Sequence, residues 1–267
     1  MDLNRFRLPI LIIALAMIFV ASPASGDVTL IHWSDIHCGA WDYRSTFRKD
    51  LVTDMNTMPE KSWPAEVGGG KIGKIDFVIA TGDITDHGFA KEWDDHNDWI
   101  GDDYLSLRNL IKFPSYEAMG NHDTHNGGAE AGIKALHKNT YYSWETGGIH
   151  FVSLDEYVGG GKRADNPDID PAQLDWLEKD LKKVNKGVTP VVLFLHSPPV
   201  RRLGKHWTTI GNSVDRLTQI LEGHKALFLH GHWHKSMLND LDGMWVIGAG
   251  CSMNPKYTKG AQVNEYN

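Results

Sequence analysis

The chain has 267 residues, 41% of them hydrophobic and 10% aromatic, with a formal net charge of -7. That apolar content suits a packed core and excludes a disordered or fibrous chain. The acidic balance argues against broad nucleic-acid binding, because phosphate backbones require clustered Lys and Arg.

Residues 1–26 differ from the rest. Arg5 and Arg7 precede the apolar run Leu8 to Val20, and the small residues Ala24, Ser25 and Gly26 follow. That order predicts a signal peptide cleaved near Gly26/Asp27 and an exported protein, periplasmic or secreted. The run falls short of the roughly 20 apolar residues of a membrane span; retention as an N-terminal anchor is the alternative. Residues 27–267 carry no internal repeat and no linker and read as one domain. For Cys38 and Cys251, a disulfide and two buried thiols are equally compatible with the sequence.

Along the mature chain one unit recurs: a β-prone apolar run that stops in a polar cluster. The first is VTLIHWSDIH from Val28, and IDFVIATGD from Ile75 is the second. Ala90 to Ile111 reads as a long acidic helix interrupted at Gly101. SYEAMGNHD from Ser115 repeats the strand pattern, and Tyr141 to Asp155 predicts a hairpin turning at Thr146 to Gly148. Asp170 to Val184 predicts a helix: Asp170 caps, Pro171 sits at N1, Gln173 completes a capping box, and Leu174, Leu177, Leu181 and Val184 form one stripe. VVLFLH from Val191 and ALFLHGHWH from Ala226 repeat it again. Between them Val214, Leu217, Ile220 and Leu221 mark a helix capped by Asn212 or Ser213. Strands alternating with helices give an α/β domain, and nearly unbroken apolar runs give strands buried on both faces. In such sheets ligands bind beyond the carboxyl ends of strands, where every polar cluster here falls.

Each cluster alone is weak evidence. Asp35 and His37 suit a cap or Asx-turn as well as a metal, Gly82-Asp83 is an ordinary turn, and a lone His196 is compatible with a satisfied core histidine. Together they present Asp, His and Asn at five strand ends, the ligand set of a borderline or hard divalent metal. In order, DIH at 35–37, GDITD at 82–86, GNHD at 120–123, His196 and GHWH at 231–234 resemble the signature blocks of the calcineurin-like metallophosphoesterase superfamily.

The resemblance implies a two-layer β-sandwich flanked by helices, a four-layer αββα fold, with two divalent or trivalent metal ions (Mn, Fe, Zn or Ni) at the sheet edge. By position it implies Asp35, His37 and His234 on one metal, Asn121, His196 and His232 on the other, and Asp83 bridging both. It further implies a metal-bridging hydroxide that attacks phosphorus in line on a small phosphate-ester substrate, with His122 assisting the leaving group. Asp86 matches the family position that orients this histidine, and Asp123 is the other carboxylate within reach; a turn residue is the simpler reading of Asp86. His230 belongs to the strand, as a core histidine or one behind the metals.

Departures narrow the branch. No Asp-Arg-Gly follows the second block, as protein Ser/Thr phosphatases require, and GDITD lacks the tyrosine of purple acid phosphatases. About 33 residues beyond His234 leave no room for the second domain of exported 5′-nucleotidases. Small single-domain phosphodiesterases and phosphatases remain, with phosphodiesterase slightly favoured; the alternative is an inactive metal-binding or scaffolding domain of the same fold. Trp41, Trp207 and Trp233 lie near motif residues, and stacking on substrate and packing over the site are equally weighted. Arg201, Arg202 and Lys205 read as a solvated basic loop.

Overall fold

The five runs that end in polar clusters are strands. The computed structural model describes residues 27–40, 45–95, 102–159, 166–200, 209–252 and 262–263. The predicted leader, Trp41, Trp207, Arg201, Arg202 and Lys205 lie outside these residues.

Strands β1 (Leu30–Trp33), β2 (Phe77–Thr81) and β3 (Ser115–Ala118) form a parallel sheet in that order. The second sheet holds β4 (Tyr142–Thr146), β5 (Ile149–Ser153), β6 (Pro190–Phe194), β7 (Lys225–His230), β8 (Met237–Leu241), β9 (Met244–Gly248) and β10 (Gln262–Val263). Its order is β10-β8-β9-β7-β6-β5-β4. Its centre, β5, β6, β7 and β9, is parallel, while β4 and β8 pair antiparallel with β5 and β9.

The helices are α1 (Ser45–Asn56), α2 (Ala90–Trp93), α3 (Tyr104–Leu110), α4 (Gly128–His137), α5 (Pro171–Leu181) and α6 (Ser213–Leu221). Side chains that alternate along each strand assign the layers. In β2, Phe77 and Ile79 meet Val192 and Phe194 of β6 between the sheets, while Val78 and Ala80 turn toward Val52 of α1, Leu107 of α3 and Ile133 of α4. In β6, Val191 and Leu193 turn the other way, onto Leu177 of α5 and Leu217 of α6. The result is the predicted sandwich of two sheets flanked by helices. It explains the unbroken apolar runs, since both faces of these strands are buried.

The hairpin turns where expected, at Gly147 (φ 58) and Gly148 (φ 76), both left-handed as a two-residue turn of this kind requires. Other expectations are corrected. The interruption expected between Ala90 and Ile111 is wider than one residue: α2 ends at Trp93 and α3 begins at Tyr104, capped by Asp103, whose side chain accepts the Ser106 N–H, while Gly101 itself lies outside the described residues. Asp170 caps α5 by accepting the Ala172 N–H, but Gln173 does not close a capping box. Its amide instead clamps Asp155, accepting the Asp155 N–H at 2.8 Å and donating to the Asp155 carbonyl at 2.7 Å. Asn212 holds the N-cap position of α6, as one of the two expected residues, but its side chain makes no cap bond; the Ser213 N–H goes to Asp168 Oδ1 at 3.0 Å. Cys38 and Cys251 are buried thiols rather than a disulfide.

Candidate metal centre

The sandwich brings its polar strand ends to one edge. Asp35 follows β1, Asp83 follows β2, Asn121 follows β3, His196 follows β6, and His232 and His234 follow β7. Backbone hydrogen bonds tie these turns in pairs: the Ile36 and His37 N–H groups donate to the Asp83 carbonyl, and the Gly231 N–H donates to the His196 carbonyl. Gly231 carries no side chain because none fits; a Cβ there would lie 1.8 Å from Ser34 Oγ. That approach joins the turn after β7 to the turn after β1 across the two sheets.

Beside a group of His37, Asp86 and His122, two donor groups result, each with atoms within 4.8 Å of one another: Asp35, His37, Asp83 and His234 in one, and Asp83, His196 and His232 in the other. Asp83 is common to both. Its Oδ2 lies 3.7 Å from His37 Nε2 and 3.1 Å from His196 Nε2. His234 Nε2 lies 3.2 Å from Asp35 Oδ1. Asn121 joins the second group, its Oδ1 lying 3.0 Å from His232 Nδ1. His196 Nδ1–H is committed to the Thr81 carbonyl at 2.7 Å, which fixes Nε2 as the atom facing the cluster.

The backbone bears the cost of this convergence. Among the described residues seven non-glycine positions have positive φ, and five belong to the donor set: Asp35 (52), His37 (49), Asp83 (48), His232 (67) and His234 (53). Left-handed backbone at such residues costs on the order of 1–3 kcal/mol each and concentrates at functional sites.

Electrostatically the cluster favours positive charge. Burial alone would raise the Asp83 carboxyl, yet His196, His37 and His122 hold it well below the usual range. Burial would lower His196, but Asp83 and Asp35 outweigh it and raise the imidazole to about 10. His234 is likewise lifted against its burial, to about 11, chiefly by Asp35. His232, buried and facing His196, is pushed down to about 4.

His122 stands beside this cluster, its ring centroid 4.6 Å from that of His37. Its backbone N–H donates to Asp83 Oδ1 at 2.9 Å, and its Nδ1–H donates to the Asp86 carbonyl at 2.6 Å. The Asp86 carboxylate does not take the expected position on His122. Its Oδ1 is 3.8 Å from His122 Nδ1 but 3.1 Å from Nδ1 of His37, and its Oδ2 is 3.2 Å from Nδ1 of His87. Asp123 does not serve His122 either. It is fully buried and accepts from the Ile84, Thr85 and Gly120 N–H groups and from Thr85 Oγ1, bracing the turns after β2 and β3.

Two further buried braces escaped the sequence reading. Arg48 pairs with Asp102 and donates to the Ile36 carbonyl, while Asp102 accepts the Gly39 N–H, so the pair holds the turn carrying His37 from behind. Glu156 Oε1 accepts the N–H groups of both His196 and Ser197. A signal for it existed: FVSLDE, at the end of the hairpin, is a sixth apolar run ending in carboxylates. Trp233 packs into the core between the second sheet and its helices, which settles its reading as packing. His230 is fully buried, with Nδ1 on the Gly231 carbonyl, and stands outside both donor groups.

Comparison with known proteins agrees with this geometry. The family model described as calcineurin-like phosphoesterase matches residues 28–236. Purple acid phosphatase 15 of Arabidopsis thaliana is 33% identical over 96 residues, 35% of this chain and 17% of its own length. A probable glycerophosphodiester phosphodiesterase GpdQ of Arcobacter nitrofigilis is 30% identical over 177 residues, 61% of this chain and 58% of its own. The chain thus spans less than two thirds of these curated relatives. Among solved structures, a dimetal phosphatase from Danio rerio superposes with a TM-score of 0.59 at 16% identity, covering 85% of this chain and 88% of that one. GAP50, the anchor in the inner membrane complex of Plasmodium, gives 0.56 at 13% identity over 84% and 72%. At such identities the two structures speak to the fold alone. The matched span runs from β1 to just past His234 and takes in every strand-end donor, and the chain belongs to the calcineurin-like phosphoesterase family.

Proposed function

We propose that the protein hydrolyses phosphate esters with two metal ions, one held by Asp35, His37 and His234, the other by Asn121, His196 and His232, with Asp83 on both. The observation that carries this reading is the presence of Asp83 in both donor groups. Imidazole nitrogens, carboxylate oxygens and one amide oxygen suit Mn, Fe, Zn or Ni. Five donors in left-handed backbone fit a site whose geometry is imposed by what it holds.

A pair of such ions supplies Lewis-acid charge to phosphoryl oxygens and makes water acidic near neutrality. The chain's own residues do the rest. Asp86 orients His37 through Nδ1 and so keeps Nε2 toward the cluster. His122 has Nδ1–H committed to the Asp86 carbonyl, which leaves Nε2 as the atom to face a leaving oxygen and pass a proton to it.

Phosphodiesters are favoured over monoesters. Support comes from the relative named as a glycerophosphodiester phosphodiesterase, which matches 61% of this chain, whereas the purple acid phosphatase match covers 35% and GDITD lacks a tyrosine. Export is proposed on the Arg5, Arg7 and Leu8 to Val20 pattern; cell fractionation that finds the protein in the cytoplasm would contradict it.

Protein loaded separately with Mn, Fe, Zn and Ni, offered an aryl phosphodiester and an aryl phosphomonoester, tests the reaction. Hydrolysis with the diester faster is expected. Inactivity on both, in protein carrying two ions, would overturn the proposal.

A further inference from the structure

Residues Leu154–Tyr157 and Leu195–Ser197 continue the adjacent parallel strands β5 and β6 beyond their last ladder bonds, with the Leu154 N–H still donating to the Phe194 carbonyl at 2.9 Å. At this point the two backbones part and a side chain bridges them. Glu156, fully buried, reaches across so that Oε1 takes the His196 N–H at 3.0 Å and the Ser197 N–H as well. Pro198 and Pro199 follow, and neither has an N–H. The Tyr157 hydroxyl adds a contact to Ser197 Oγ at 2.6 Å. Glu156 is itself held. The Asp168 N–H donates to its carbonyl, Asp155 accepts the Tyr157 N–H, and Gln173 of α5 clamps the backbone of Asp155 from both sides.

We infer that Glu156 is a positioning residue for His196, fixing the backbone from which that imidazole enters the second donor group. The inference rests on the metal reading above. The ring of His196 is already anchored at Nδ1 by the Thr81 carbonyl. With Glu156 on its N–H, the residue is held at both ends, and Nε2 stays 3.1 Å from Asp83 Oδ2 and 3.2 Å from His232 Nδ1. The other donor group is further from this brace: Asp35, His37 and His234 come from the turns after β1 and β7, and the β7 turn meets His196 through the Gly231 N–H on its carbonyl. The role depends on where one acceptor oxygen sits. A glutamine keeps an oxygen there, while an aspartate, one methylene shorter, does not reach both N–H groups.

Stepwise titration of metal-free protein with Mn²⁺ or Zn²⁺, followed by calorimetry and by counting bound ions, tests this. Wild type is expected to take two ions. Glu156→Ala should weaken one of them by about 10–100-fold, the range for losing a group that orients a ligand, and its profile should match that of His196→Ala. Glu156→Gln should restore the second ion, and Glu156→Asp should not. Gln173→Ala, milder for folding, should show a smaller loss at the same ion. Leu177→Ala, a core truncation in α5, should lower stability and leave both ions bound. Equal weakening of both ions, a deficit in Leu177→Ala like that in Glu156→Ala, or a Gln variant no better than Ala would overturn the inference. Two ions in wild type with Glu156→Ala unchanged would overturn it alone. A wild type that takes no second ion would take down the metal reading and this inference together.

Discussion

Asp35, His37, Asp83, His232 and His234 adopt backbone that glycine tolerates and they do not, so their side chains are kept at the expense of stability. His232→Gly relieves one such strain while removing a donor. Metal-free His232→Gly is therefore expected to unfold within about 1 kcal/mol of metal-free wild type, despite losing a large side chain. Denaturant unfolding of both apo proteins measures it. His122 and Asp86 separate by role at the same scale. His122→Ala should lose about 10²- to 10⁴-fold in rate while holding two ions, as expected for a proton donor outside the two groups that share Asp83. Asp86→Asn, whose side chain lies nearer His37 than His122, should weaken metal binding about 10–100-fold. It should leave the dependence of rate on leaving-group pKa as in wild type. Rates across a series of aryl esters at saturating metal distinguish the two. His230→Ala should keep both ions, since His230 serves the strand and not the cluster.

Elements were legible where periodicity was strong. Strands β1, β2, β3, β6 and β7 and helix α5 follow from apolar runs and a four-residue stripe, and Asp170 announced its helix as a cap with proline behind it, whereas β8 and β9 were not read. Helices α1 and α4 gave no such signal: STFRKDLVTDMN has few apolar positions and two threonines, and GAEAGIKALH carries two glycines. Tertiary contact supplies what propensity lacks there, through Val52 and Met55 of α1 and Ala129 and Ile133 of α4. Gln173 was misplaced because sequence spacing names a local partner, whereas its side chain turns to a residue 18 positions away. The far side of α5 carries a pH-dependent tie. Burial would raise the Asp180 carboxyl, but hydrogen bonds from His150, Ser143 and Lys183 prevail and lower it to about 2. A depressed folded pKa stabilises above the unfolded value near 3.8 and ceases to do so as pH falls through about 2. Asp180→Asn should accordingly unfold at lower urea than wild type at pH 6, with the gap closing by pH 2, as urea titrations at the two pH values would record.

At the scale of the molecule, each donor group draws on both sheets. Asp35, His37, Asp83 and Asn121 come from turns of the three-stranded sheet, and His196, His232 and His234 from turns of the seven-stranded one. Metal binding therefore fastens the two halves of the sandwich at its polar edge. At a free ion concentration about 100-fold above Kd, each ion should add about 2.7 kcal/mol. Removal by chelation should lower Tm by roughly 5–10 °C per ion for a chain of this size, and a thermal scan with and without chelator reads it. The fold and the donor set were legible because the strand-end clusters recur in a fixed order. The carboxylates that hold those turns from behind were not: Asp102 carries no motif, and Glu156, though it ends an apolar run, acts through backbone N–H groups that spacing does not name. The central claim is that one carboxylate, Asp83, joins two metal sites. Counting ions bound per chain at saturation in wild type and Asp83→Asn tests it most directly. Two ions in wild type, with both weakened together in the variant, is the predicted result; a single ion in wild type, or a variant that loses one site and keeps the other at full affinity, would contradict it.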